Sequence, residues 1–345
     1  MKTMSMKIKI LLPILTFTGA LIISSCGNDV KTVEPITADS SKVKVPEALL
    51  KLNEQIKLNP KDANLYHERA KYYLNESKYD LGFDDMRNAM TIDSSKAAYF
   101  ITLSDLYFVT NQTANSKASL EKCIKLDDKN VDAMLKLAEL YFYVKKHDKC
   151  FEYINMALKI DKYNSKAYFM KGMNYKELKD TAKAISSMQT AVEQDQSFYN
   201  AYMQLGILNA GQRNPLAVDY YKNAMRIQPN SIEAWYAMGK YYQDILNWDK
   251  AIEAYTVLLK IDAKNKFANF NLGAINFGGK KDYKTAIQFF TNALTIDAAY
   301  VDAYYGRGMC YQTMGDKKNA LADFQACLSI DPKYETAAFA MKQIK

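Results

Sequence analysis

Histidine is nearly absent from this chain: 345 residues hold two, His67 and His147. Neither belongs to a Ser or Cys signature, which leaves no basis for a hydrolytic triad or a His-rich metal site. The five cysteines contain no CxxC pair or other zinc spacing. No GxGxxG is present, and the Gly278-Gly279 pair is not followed by the Gly-Lys-Ser/Thr of a phosphate loop. The apolar run Ile10 to Ile23 covers 14 residues, short of the roughly 20 that a membrane-spanning helix needs. Charge of one sign is in modest excess, 46 Lys and Arg against 38 Asp and Glu. An evenly mixed surface of this kind gives little reason to expect a nucleic-acid partner. Carboxylate pairs such as Asp84 and Asp85 are placed on a solvated helix face and receive no acid–base role. The expectation is a chain without catalytic residues, metal or cofactor.

What the chain has is repetition. From Ile232 to Asn265, apolar and small residues recur in two blocks: Ala234, Trp235, Met238, Gly239, Tyr242, then Ala251, Ile252, Tyr255, Leu258. Each block has the i, i+3, i+4 spacing of one helix face. Leu246 to Asp249 interrupt the period as a tight turn would. The unit is a helical hairpin, and alone it cannot bury both of its apolar faces. Its neighbours are present as eight copies: 63–96, 97–130, 131–164, 165–198, 199–231, 232–265, 266–300 and 301–334. The period is 34 residues, with one copy of 33 and one of 35.

This pattern resembles the tetratricopeptide repeat (TPR) family, which places a bulky residue at repeat position 4, a small one at 8, an aromatic at 11, small ones at 20 and 27, and a bulky one at 24. The sixth copy matches with Trp235, Gly239, Tyr242, Ala251, Tyr255 and Leu258. The eighth matches with Tyr304, Gly308, Tyr311, Ala320, Phe324 and Cys327, and the fourth with Tyr168, Gly172, Tyr175, Ala184, Met188 and Ala191. The fifth departs, with Asn209 where an aromatic is expected and Pro215 in its turn. The resemblance implies an all-α, right-handed superhelical solenoid of eight TPR hairpins, with capping helices at 46–62 and 335–345.

The small residues Ala70, Ala138, Gly172, Gly206, Gly239, Gly273 and Gly308 let paired helices approach, and the 26 tyrosines are read mostly as packing beside them. Asp93, Asp127, Asp161, Asp262, Asp297 and Asp331 fall where second helices end, to bond nearby backbone in the joints. Cys123, Cys150, Cys310 and Cys327 are read as buried thiols. A Cys310–Cys327 disulfide within one hairpin stays open.

The first 25 residues differ in kind. Lys2, Lys7 and Lys9 precede the apolar run, as in a secretory leader. Ile23-Ser24-Ser25-Cys26-Gly27 resembles a bacterial lipobox, which implies cleavage before Cys26 and its acylation. Two or three acyl chains, at about 0.8 kcal/mol per buried CH₂, anchor a protein stably. Without residues 1–25, 43 basic residues face 38 acidic ones, and the net charge falls from +8 to about +5. Residues 26–45 are polar and aperiodic, a flexible tether. The expected location is the periplasmic face of an outer membrane, with the cell surface as the alternative.

A solenoid binds on its concave face, which in the TPR family comes from first-helix positions 2, 5, 9 and 12. Those positions give an apolar, Met-containing candidate surface: Phe108, Leu135, Phe142, Phe169, Met173, Met203, Tyr236, Phe270, Phe277 and Tyr305. Such surfaces suit helices or extended peptides. TPR domains that hold the chaperone C-terminal carboxylate use Lys at position 5, and no copy here has one. The expected function is a non-catalytic, membrane-anchored scaffold for protein or peptide partners in a bacterial envelope complex, with a homo-oligomer left open. The alternative is an accessory subunit that binds a small ligand or glycan in an aromatic groove. An open groove favours the first and a sealed pocket the second.

Overall fold

The computed structural model describes residues 46–344. The expected leader (1–25), Cys26 and the rest of the tether to residue 45 lie outside the described residues, as does Lys345. Among the described residues every regular element is helical. Helix α1 (Glu47–Leu58) precedes eight hairpins. The first four are α2 (Ala63–Asn75) with α3 (Tyr79–Ile92), α4 (Ala97–Val109) with α5 (Thr113–Leu126), α6 (Val131–Tyr143) with α7 (His147–Ile160), and α8 (Ser165–Glu177) with α9 (Thr181–Gln194). Then come α10 (Tyr199–Gly211) with α11 (Leu216–Ile227), α12 (Ile232–Asp244) with α13 (Trp248–Ile261), α14 (Lys266–Ile275) with α15 (Tyr283–Ile296), and α16 (Val301–Thr313) with α17 (Lys317–Ile330). Helix α18 (Glu335–Ile344) closes the stack. Each helix packs on the next in sequence, and first helices also pack on one another, α2 on α4, α6 on α8, α10 on α12 and α14 on α16. The fold is the expected all-α superhelical solenoid.

Two kinds of joint set the geometry. Inside each hairpin one residue takes a left-handed backbone: Ser77, Asn111, Lys145, Lys179, Arg213, Leu246, Lys281 and Gly315. The amide after it reaches back to a carbonyl in the last turn of the first helix at 2.7–2.9 Å, for example Asn247 to Tyr242. This closes the orphan carbonyls of that helix in a Schellman-type cap. Between hairpins the cap is an aspartate at every joint except the one after α11, where Gln228 stands. Oδ1 of Asp93, Asp127, Asp161, Asp195, Asp262, Asp297 and Asp331 accepts from the amide two residues on, at 2.9–3.2 Å. The predicted punctuating role of Asp93, Asp127, Asp161, Asp262, Asp297 and Asp331 is what the structure has, and Asp195, not among those predicted, joins them. Asn130, Asn164, Ser231 and Asn265 then cap the next helix, accepting from the amide three residues on at 2.9–3.0 Å.

The two odd-length copies have local explanations. The extra residue of the seventh is taken up in a π-helical turn, Asn276–Lys280, that extends α14. In the fifth, α11 has 12 residues where its counterparts have 14, and starts after Pro215. Asn209, on the first helix of the fifth copy, turns its Nδ2 back to Leu205 O at 2.8 Å. Asn276 does the same to Leu272 O at 2.8 Å. Both buried amides are thereby satisfied where other copies carry a tyrosine.

The core runs the length of the stack as a chain of overlapping clusters, with Tyr99, Tyr221, Tyr255, Phe290 and Phe324 fully buried. Burial of one such side chain is worth about 1.5–3 kcal/mol. The first and last hairpins each hold a buried ion pair. Arg69 donates to both oxygens of Asp85 at 2.7 Å and to Asn53 of α1 at 2.7 Å. Arg307 donates to Asp323 at 2.8 and 2.9 Å and to Thr291 of α15 at 3.0 Å. Asp85 therefore corrects the expectation of a solvated pair: Asp84 is exposed, whereas Asp85 is buried at 3% exposure because its partner sits 16 residues back on the facing helix. The four described cysteines are free and buried, so Cys310 and Cys327 are not bridged.

Candidate functional site

The first helices form one face of the solenoid, and most of the candidate partner-binding residues lie along it in graded exposure. Leu135 and Met203 are correctly placed on first helices but are core residues, 3% and 2% exposed. They offer a partner no surface. Phe169, Phe270 and Tyr305 are half-buried because each packs on an aromatic residue in the joint that leads to the next first helix or, for Tyr305, to the closing helix α18. Ring centroids are 4.9 Å apart for Phe169–Phe198, 5.2 Å for Phe270–Tyr300 and 5.6 Å for Tyr305–Tyr334. Phe198 and Tyr300 occupy the helix-capping place without a side-chain cap bond. Where an aromatic replaces the capping Asn or Ser, a ring from the previous repeat covers it. Tyr236 is tied down in another way, 5.8 Å from the Tyr255 ring and accepting from Asn271 Nδ2 at 3.3 Å. Phe277 packs on Tyr283 in its own hairpin at 5.8 Å.

Phe142, Phe169 and Met173 come together. With Tyr143, Met170, Phe198, Lys166, Asn200 and Glu139 they line a recess of about 410 Å³ between α6, α8 and the start of α10. Phe108 and Tyr143 extend it toward α4, their rings 6.0 Å apart and 42% and 60% exposed. A smaller hollow of about 150 Å³, lined by Asp105, Phe108, Lys136 and Glu139, continues the same face. Tyr143, Met170 and Phe198 were not in the sequence-based set. Tyr143 follows Phe142 at the end of the helix, and Phe198 sits in a joint, outside the four positions the family pattern uses.

Polar groups on this face are mostly paired. Lys136 donates to Asp105 at 2.7 Å, bridging α6 and α4. Lys176 reaches Gln204 of α10 at 2.7 Å. Burial lowers its pKa, with Glu177 opposing the shift. Both histidines are structural. His67 Nε2 lies 2.8 Å from Thr102 Oγ1, and burial lowers its pKa. His147 Nδ1 lies 2.6 Å from Asn174 Oδ1. Among the described residues no group of three or more His, Cys, Asp or Glu could hold a metal. No described helix is long and apolar enough to cross a membrane.

Helical hairpins with a small residue opposite a bulky one, Asx-capped joints and an apolar first-helix face define a solenoid of helical repeats. The tetratricopeptide repeat family model matches three of them, residues 97–130, 165–198 and 301–334. Those three copies match the tetratricopeptide repeat, whose proteins generally mediate protein–protein contacts. The chain is 27% identical over 146 residues to tetratricopeptide repeat protein 6 of Homo sapiens, covering 41% of this chain and 26% of that one. It is also 27% identical over 165 residues to a DnaJ homolog subfamily C member 7 homolog of Dictyostelium discoideum, covering 43% and 31%. The matched stretch is thus less than a third of either relative. The solved C-terminal part of a TPR repeat-containing protein from Cytophaga hutchinsonii superposes with a TM-score of 0.60 at 20% identity, covering 68% of this chain and 96% of that one. A tetratricopeptide repeat protein from Parabacteroides merdae gives 0.50 at 16% identity, covering 73% and 99%. These likenesses concern the fold.

Proposed function

We propose that this chain is a non-catalytic scaffold that holds a polypeptide partner on its first-helix face, within a bacterial envelope complex to which a lipid on Cys26 tethers it. The observation that carries the binding reading is the shelf of Phe108, Tyr143, Phe142 and Met173. It crosses three successive repeats and leaves Phe108 and Tyr143 exposed at 42% and 60%. Large side chains left in water along a concave repeat surface mark contact sites rather than core. A shelf continuous over several helices fits an extended or helical segment better than a small ligand, which needs enclosure. The lipid reading rests on the sequence around Cys26, and the periplasmic face of an outer membrane is the location it suggests.

Crosslinking in intact cells tests the first claim. The variant Phe108→Ala/Tyr143→Ala keeps the packed aromatics untouched and should lose partner crosslinks while circular dichroism stays unchanged. An identical crosslink pattern in the variant moves the site off this shelf. For the anchor, Cys26→Ala should shift the protein from the membrane to the soluble fraction. Unchanged fractionation with no acyl mass on the wild-type protein removes the lipid from the account.

A further inference from the structure

Four first-helix lysines, Lys71, Lys166, Lys176 and Lys240, stand at repeat positions 2, 9 or 12 and Lys136 at position 6, and they differ in their partners. Lys71 is neutralised by Glu68 at 3.1 Å, Lys136 by Asp105 at 2.7 Å, and Lys240 by Asp244. Lys166 and Lys176 have no carboxylate at ion-pair distance among the described residues. Lys166 is exposed at the rim of the recess. Lys176 is half-buried and its hydrogen bond goes to a neutral acceptor, Gln204 Oε1. A partly desolvated ammonium without a counter-ion is unfavourable until a carboxylate arrives.

Both lysines belong to α8, ten residues apart. At a rise of about 1.5 Å per residue their Cα atoms are separated by about 15 Å along the helix. Between them α8 presents Phe169, Met170 and Met173 to the recess that Phe142, Tyr143 and Phe198 complete. Glu139 faces the same recess from α6, with its carboxylate taking only a long contact from the Tyr143 hydroxyl at 3.5 Å. The order along α8 is therefore cation, apolar hollow with one carboxylate on its far wall, cation.

We propose that this stretch binds a peptide segment in which two carboxylate side chains flank an aromatic or aliphatic one, the carboxylates on Lys166 and Lys176 and the apolar group in the hollow between them. The proposal rests on the reading of this face as a polypeptide-binding surface. An extended chain advances about 3.4 Å per residue and alternates its side chains between two faces, so two acids on one face stand about four residues apart with the apolar residue midway. Glu139 disfavours a third acid at the centre by like-charge repulsion, which excludes a uniformly acidic run. The arrangement differs from the chaperone carboxylate mode, because no lysine is used at repeat position 5.

The test is fluorescence polarisation with the full chain and three labelled octapeptides. The first is Gly-Ser-Glu-Ser-Phe-Ser-Glu-Gly, which turns both Glu and the Phe to one side of an extended chain, the second replaces both Glu by Gln, and the third replaces Phe by Ser. The first should bind at least tenfold tighter than either of the others, and its affinity should fall several-fold between about 50 mM and about 500 mM salt as screening shortens. Lys166→Glu/Lys176→Glu should lose it and gain the counterpart with Lys in place of both Glu. Lys176→Gln, which keeps the Gln204 contact possible, should weaken the first peptide alone. Equal binding of the Glu and Gln peptides overturns the charge assignment while leaving a polypeptide site in place. If no peptide binds and Phe142→Glu leaves cellular crosslinks unchanged, the charge assignment and the binding face fall together.

Discussion

A Cβ built on Gly239 would stand 2.8 Å from Cε1 of Tyr255. The same relation joins Gly206 to Tyr221, Gly273 to Phe290 and Gly308 to Phe324, at 2.4–2.8 Å. Where the first partner is Ala70 or Ala138, the second is Met86 or Ile154, which leave room for a methyl group. Glycine in a helix costs up to about 1 kcal/mol relative to alanine, so these positions forgo helix stability for ring contact. Gly239→Ala should lower stability by a net of about 1–2 kcal/mol, because overpacking a tight core costs about 1–3 kcal/mol and exceeds the propensity gain. Gly211, whose Cβ would meet nothing within 4 Å, is the control, and Gly211→Ala should be neutral or slightly stabilising. Guanidinium unfolding followed by circular dichroism separates the two. Equal midpoints for Gly239→Ala and wild type would show that the hairpin opens at little cost.

The hairpin turns offer a stabilising change. Seven of the eight left-handed residues are not glycine, with φ from +55° to +62°. A Cβ in that region costs roughly 1–2 kcal/mol, offset in part by the extra freedom glycine has when unfolded. Leu246 is 66% exposed, so little packing is lost with its side chain. Leu246→Gly should raise stability by about 0.5 kcal/mol. Gly315→Ala, at φ +81°, should lower it by about 1 kcal/mol. Thermal unfolding midpoints that move together in one direction would contradict the turn assignment.

Much of this architecture was legible because the repeat fixes partners by spacing. Gly308 and Phe324, or Asp297 and the amide of Ala299, are met at constant offsets, so types alone identify them. Exposure on the first-helix face was harder to read. Leu135 and Phe169 occupy the same repeat position, yet one is core and the other half-buried. What differs is the joint ahead of each, Asn164 in one case and Phe198 in the other, and that residue belongs to the next repeat. Asp85 misled for a related reason. Its partner Arg69 lies on the facing helix, and an i, i+3 or i+4 reading does not connect them.

The end ion pairs give a third prediction. Asp323 is 5% exposed and accepts both arms of Arg307. Removing one member of such a pair strands the other, at a cost of roughly 3–5 kcal/mol. Asp323→Ala should therefore fray the last hairpin, whereas Arg307→Met/Asp323→Leu should recover most of the loss. Hydrogen exchange over residues 301–344 reads this locally. If the double variant exchanges as fast as the single one, the arginine's contact with Thr291 rather than the pair holds α16 in place.

The buried thiols give a pH prediction with a fixed sign. Burial pushes Cys123 up to about 11 and Cys150, Cys310 and Cys327 up to about 12, from an ordinary value of 9.0. The folded state therefore holds these protons more tightly than the unfolded one. Their contribution is fully present below about pH 9 and is lost as pH rises from there toward 12, because the unfolded chain ionises first. Burial of the Tyr221 and Tyr255 hydroxyls raises their pKa values and acts in the same direction. Unfolding midpoints should be flat between pH 7 and 8 with respect to these groups and should fall between pH 9 and 11. Replacing all four cysteines by alanine should make that decline shallower without abolishing it, since the tyrosines remain. These four thiols of the native protein should also resist a thiol-specific disulfide reagent at pH 8 until denaturant is added, because burial keeps the attacking thiolate scarce. Rapid labelling of any of the four in the folded state would mean that its hairpin opens on the timescale of the reaction.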